Sequence, residues 1–122
     1  MIEVLVNNVE KNWKLFTFFL LSIITILSLY PLPVLPEVPG SDKSHHLIAY
    51  SVLAIPVVLA NPKNLLLYLF LLIIYGGLIE IIQPYVNRYG EWLDFLANII
   101  GVISTYIVVS IYRFYRQSNF IN

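Results

Sequence analysis

The sequence predicts an all-α integral membrane bundle of four antiparallel transmembrane helices. Composition is the first reason. Hydrophobic residues fill 59% of the 122 positions and charged residues 11%, with mean hydropathy +0.80. Soluble domains hold roughly 45–50% apolar and about 25% charged residues. A chain this short has no interior for so much apolar surface, so lipid must cover it. Patterning is the second reason: the apolar residues gather into four blocks, at about 14–30, 44–60, 64–83 and 92–112, separated by short polar or proline-rich breaks. Aromatic placement is the third, because Trp13, Tyr30 and Trp92 stand at block ends, where amphipathic rings sit at a membrane interface.

By length the chain is one domain, 1–122. A formal net charge of zero argues against a nucleic-acid partner. No cysteine is present, which excludes disulfides and thiolate-bound metal.

Taken in order, residues 1–14 form a short amphiphilic lead ending in Lys11, Trp13 and Lys14. The charge-free run 15–29 follows as the first span; no small-residue cleavage site succeeds it, so it reads as uncleaved. Residues 31–43 hold four of the seven prolines and predict an extended loop. The second span, 45–60, is short against the about 20 residues a crossing needs and contains Pro56. It extends by borrowing Ser41 to Ser44 as a polar first turn, with Ser41 or Asp42 as N-cap. A three-span reading in which 45–60 is re-entrant is the competitor. Asn61-Pro62-Lys63-Asn64 is a tight turn, the third span runs to Pro84, and residues 85–91 turn into the fourth. Four spans put both termini on one side with Lys11, Lys14, Lys63, Arg113 and Arg116, leaving Lys43 and Arg88 opposite. The positive-inside rule then places the termini in the cytoplasm, within a cytoplasmic membrane.

Polar residues interrupt this background in two knots, 41–50 and 76–101, both on the extracytoplasmic side in this topology. His46 and Tyr50 lie four apart and share a helix face. So do Gly76, Glu80 and Gln83, and likewise Asp94, Asn98 and Gly101. A carboxylate facing hydrocarbon costs about 2.5–3.5 kcal/mol even on the lenient insertion scale. Glu80 and Asp94 are therefore expected to point inward, toward partners drawn from Lys43, Arg88, His46, Tyr50, Gln83 and Asn98. The glycines Gly76, Gly77 and Gly101 allow close helix approach.

Each residue also has a plainer explanation. Asp94 suits the first turn of a helix, where the macrodipole favours an acid by about 0.3–1 kcal/mol. Asn98 suits an interhelical hydrogen bond, worth about 0.6 kcal/mol in membranes. His46 suits an interface. The span-end aromatics suit an aromatic belt, and Glu80 may be read either as half of an ion pair with Arg88 or Lys43 or as a ligand-facing acid.

The patterns DKxxHxxxY (Asp42, Lys43, His46, Tyr50), GxxxExxQ (Gly76, Glu80, Gln83) and RxxxWxDxxxNxxG (Arg88, Trp92, Asp94, Asn98, Gly101) together resemble the VanZ-like family of small membrane proteins, over about residues 15–112. Leu47 stands where that family often has phenylalanine, and His45 lies outside the pattern. Members have been linked to resistance to glycopeptide antibiotics such as teicoplanin. The resemblance implies an envelope function at the outer leaflet and supplies no reaction.

Three functions compete. A binding module would use Lys43 and Arg88 as clamps for a phosphate or carboxylate head group, with Asp42, His46, Tyr50, Glu80, Gln83, Asp94 and Asn98 reading the groups beside it. The ligand would be an envelope lipid, a lipid-linked precursor or a glycopeptide-type molecule. An enzyme would draw its acid/base groups from His46, Glu80 and Asp94 and act on phosphoester or acyl bonds. A structural or assembly role is the third. No cofactor is expected. A metal-binding reading would need His46, Glu80 and Asp94 to converge from three separate helices that lack the spacing of a ligand motif, so no metal site is expected.

Overall fold

The structure is a computed structural model that describes residues 1–30, 42–86 and 91–121, with the side chains of 42, 120 and 121 left out of account. The proline-rich segment, including the Ser41 cap, and the turn carrying Arg88 lie outside the described residues, and so does the side chain of Asp42. The described residues form five helices: α1 Ile2–Lys11, α2 Trp13–Leu29, α3 Asp42–Ala60, α4 Leu65–Ile82 and α5 Trp92–Ile121. A 3-10 turn, Gln83–Val86, follows α4.

Three of these helices are long and apolar enough to cross a membrane, and a fourth crossing is possible if α1 and α2 count together. At 1.5 Å per residue, the 19 residues of α3 and 18 of α4 span about 28 and 27 Å, close to a bilayer's hydrocarbon thickness of about 30 Å. Residues 45–60 belong to one continuous helix. Only 33%, 33% and 28% of the α3, α4 and α5 windows are buried within the protein, so most of each span must be covered by something else. The uncovered residues are apolar: Leu66, Leu67, Phe70, Leu71, Leu78 and Ile107 are all exposed.

Two boundaries differ from those read in the sequence. The amphiphilic lead is itself helical, and the chain bends by 85° between α1 and α2 at Asn12. The last helix runs to Ile121 rather than 112, since no glycine or proline follows Gly101 to stop it. Thirty residues make about 45 Å of helix, so α5 projects well beyond a bilayer core. Its outer turns meet α1: Arg116 donates to Glu10 Oε1 at 2.6 Å and also to Asn7 Oδ1.

Helix α3 is the hub, packed against α1, α2, α4 and α5. Leu53, Ala54, Val57 and Val58 are almost wholly buried there. In lipid such burial gains little hydrophobic energy, so close packing and interhelical hydrogen bonds carry more of the association. The α3–α5 seam shows both. Thr105 donates to the Ser51 carbonyl at 2.7 Å, and Ser51 Oγ donates to Gly101 O at 3.3 Å. A Cβ on Gly101 would lie 2.6 Å from Leu47 O and 3.0 Å from Ser51 N, backbone atoms that cannot step aside, so glycine is required there.

Contact register gives the helix directions. Contacts pair His46 with Asn98 and Ser51 with Thr105, so numbering rises together along α3 and α5. Glycine and acid contacts pair position 76 with 98 and 80 with 91, so α4 runs against α5. Trp13 meets Tyr68 edge to face, Thr25 bonds Tyr75 and Gln83 bonds Ser28, so α2 runs with α4. Asn61 links α3 to α4 in a left-handed conformation (φ 48°), which asparagine tolerates better than most residues.

Candidate functional site

The site is assembled from one turn on each of three helices. His46 lies in the second turn of α3, Glu80 in the last turn of α4 and Asp94 in the first turn of α5. Sequence spacing places each helix's polar residues on one face, and the register described above brings the faces together. His46 Nδ1 lies 3.0 Å from Asn98 Oδ1 and 3.6 Å from Glu80 Oε1. On the other side of the ring, Nε2 lies 3.7 Å from Asp94 Oδ2. One ligand-capable atom from each of His46, Glu80 and Asp94 falls within 4.8 Å of the other two. All three side chains are shielded, at 16%, 8% and 4% exposure.

The supports differ from atom to atom. Glu80 Oε2 accepts the backbone N–H of Glu91 at 3.1 Å, tying the end of α4 to the start of α5. Its other oxygen, Oε1, is buried without a hydrogen bond. Among the described residues, the basic side chain beside Glu80 is His46. An amide oxygen accepts, so the contact with Asn98 Oδ1 favours the tautomer with the proton on Nδ1 and the lone pair of Nε2 on the Asp94 side. Gly76 makes room for this arrangement. A Cβ there would press Asn98 Nδ2 at 2.9 Å and the Tyr50 ring at 3.1 Å.

Of the residues singled out in the sequence, His46, Glu80, Asp94 and Asn98 meet directly, and Tyr50 lies beside them against Gly76. Lys43 is directed elsewhere: its Nζ lies 3.4 Å from Glu91 Oε2, both side chains being about half exposed. It therefore stands at the rim, paired with Glu91 instead of Glu80. Gln83 is also directed elsewhere, since its amide donates to Ser28 O at 3.1 Å in the last turn of α2, where it ties two helices. Arg88 and the side chain of Asp42 lie outside the described residues.

Comparison with protein-family models, with curated proteins and with solved structures found no match. The resemblance to the VanZ-like family rests on its motif residues alone.

Sequence reasoning missed Glu91, which holds Glu80 through its backbone and Lys43 through its carboxylate. A backbone donor has no residue-type signal, so only the hairpin geometry reveals it. It also missed the Ser51–Thr105 bond; Thr105 follows Gly101 by four residues on the same face, a signal that was present and unused. Chemically, two carboxylates and one imidazole with a favoured tautomer can bind a cation, read hydrogen-bond donors or move a proton.

Proposed function

We propose that this chain is a four-span antiparallel membrane protein, with both termini cytoplasmic, whose polar cluster opens toward the extracytoplasmic side and recognises the head group of an envelope lipid, a lipid-linked precursor or a glycopeptide-type molecule. The observation that carries the reading is the convergence of His46, Glu80 and Asp94 from three helices whose outward faces are largely apolar. Buried ion clusters are poor devices for stability compared with apolar packing, so a cluster kept at a span end favours a role in recognition. The Lys43–Glu91 pair at the rim supplies charges of both signs to an approaching head group. Topology is supported by the contact register and by the α3–α4 turn, where Asn61 lines a cavity together with Glu10, Arg113 and Arg116. The motif resemblance is what points to envelope chemistry in particular.

The test is native mass spectrometry of protein extracted gently from its own membranes, beside the Glu80→Gln/Asp94→Asn variant. A discrete adduct on the wild type that the variant lacks is the expected result. Identical lipid distributions on both proteins would overturn tight head-group binding.

One observation favours a second reading, a membrane-embedded enzyme. His46 is oriented through Nδ1 by Asn98, and its Nε2, 3.7 Å from Asp94 Oδ2, is the nitrogen left to take a proton as a general base. Turnover separates the two: an enzyme consumes the recovered ligand, whereas a binder returns it unchanged.

A further inference from the structure

We propose that His46, Glu80 and Asp94 form a binding site for one divalent transition cation, Zn²⁺ or Mn²⁺. The donor set sets the ion class. One imidazole and two carboxylates suit Zn²⁺ or Mn²⁺. An all-oxygen cage, which Ca²⁺ and Mg²⁺ prefer, is not what these residues make.

Geometry supports the site in three ways. The three donor atoms lie at most 4.8 Å apart. Bonds of about 2.1 Å to a shared ion hold such atoms within about 4.2 Å of each other. Tetrahedral donors at that bond length stand about 3.4 Å apart, so the cluster must draw in by up to about 1.4 Å from its 4.8 Å spread, a movement that side-chain rotation on ion binding supplies. Next, the ligands are held from behind. Ligating histidines characteristically donate their second N–H to a carbonyl or carboxylate. His46 does so, with Nδ1 on Asn98 Oδ1 at 3.0 Å, which leaves Nε2 as the metal donor. Glu80 is anchored in the same manner through Oε2 on the Glu91 N–H. Finally, Glu80, 8% exposed, holds beside the His46 ring an oxygen, Oε1, that has no hydrogen bond; it lies 3.6 Å from Nδ1 and must turn toward Nε2 to share an ion with Asp94. Three protein ligands leave a coordination position open, the arrangement of sites that also take water or a ligand oxygen. The absence of a ligand motif in the sequence does not count against the site, because tertiary register supplies what spacing along one helix does not.

The proposal stands without the lipid reading and is tested with the metal ions alone. Detergent-purified protein is stripped with chelator, reloaded with Zn²⁺ or Mn²⁺, desalted, and measured for metal per chain and for thermal stability with and without ion. The expected result is one ion per chain, an ion-dependent rise in Tm, and at least a tenfold loss of affinity in His46→Gln and in Glu80→Gln. Glu80→Gln keeps an acceptor for the Glu91 N–H, so it is expected to fold, and its ion-free Tm verifies this. His45→Gln should bind as wild type. Less than one ion per chain at saturation, equal binding by the His46 and Glu80 variants, or loss in His45→Gln would each overturn the site. A lipid adduct that survives chelation would overturn a shared role while leaving head-group recognition intact, and an ion bound without any adduct would do the reverse.

Discussion

Where α1 meets the outer turns of α5, Arg116 reaches across to Glu10 and Asn7, and the Arg116–Glu10 pair is only partly exposed. At the start of α3, two carboxylates approach a single imidazole, and the nearest lysine, Lys43, pairs with Glu91 at the surface instead. Both ends cross-link helices distant in sequence. They differ in what their charges face. The terminal end presents an ordinary partly exposed ion pair joining α1 to α5. The His46 end concentrates negative charge where an apolar core would be cheaper to build. A fold that needed only to hold together would not require the second arrangement, which is why the proposed function is placed there.

Substitutions can break or sharpen this contrast. The largest effect is expected at Gly101, whose missing Cβ lets α3 and α5 touch beneath the cluster. Gly101→Leu should destabilise by about 3 kcal/mol or more, the upper range for overpacking, and should disperse the His46 end. Thermal unfolding in detergent reads it, with Gly77→Ala as the mild control because its neighbour is the Phe95 ring edge, at 3.1 Å. Next comes Glu80→Leu, which strands the Glu91 N–H and should cost about 1–3 kcal/mol. Glu80→Gln keeps that acceptor and should leave Tm nearly unchanged while removing ligand or ion binding. If the leucine variant is as stable as wild type, the acid contributes nothing to the hairpin. Smaller still is Arg116→Ala, expected to cost up to about 1 kcal/mol as for a partly exposed pair. Its signature is local: faster proteolysis or hydrogen exchange in α1 with an unchanged main transition. Smallest is Lys43→Ala, at about 0.2–1 kcal/mol, diminishing as salt is raised. A larger, salt-independent loss there would show that Lys43 reaches into the cluster after all.

Much of this was legible in the sequence for simple reasons. Helical class and span positions follow from uninterrupted apolar runs, and Pro62 and Pro84 mark where spans begin and end. The meeting of His46 with Glu80, Asp94 and Asn98 was foreseeable because each stands on a polar stripe near a span end. Partner choice was not. Lys43 sits three residues from His46, yet its long flexible chain reaches Glu91, and nothing in spacing decides between two nearby acids. Gln83 shares a stripe with Glu80 but donates to a backbone carbonyl of α2, an acceptor every residue possesses. The 85° bend at Asn12 has no proline or glycine to announce it. The tie between Arg116 and Glu10 joins residues 106 positions apart, beyond the reach of local pattern.

The double attachment of Glu80 has a consequence for how the chain can change over time. One oxygen latches the α4–α5 hairpin and the other faces the cluster. A replacement at position 80 must satisfy both demands from one side chain. Aspartate is a methylene too short to span them, glutamine keeps the latch but not the charge, and apolar residues lose both. In a saturation library scored separately for folding and for activity, position 80 should therefore split the scores: glutamine passes the first and fails the second, and glutamate alone passes both. Gly101 should fail both with nearly every replacement, so the pair would distinguish a position constrained by chemistry from one constrained by space.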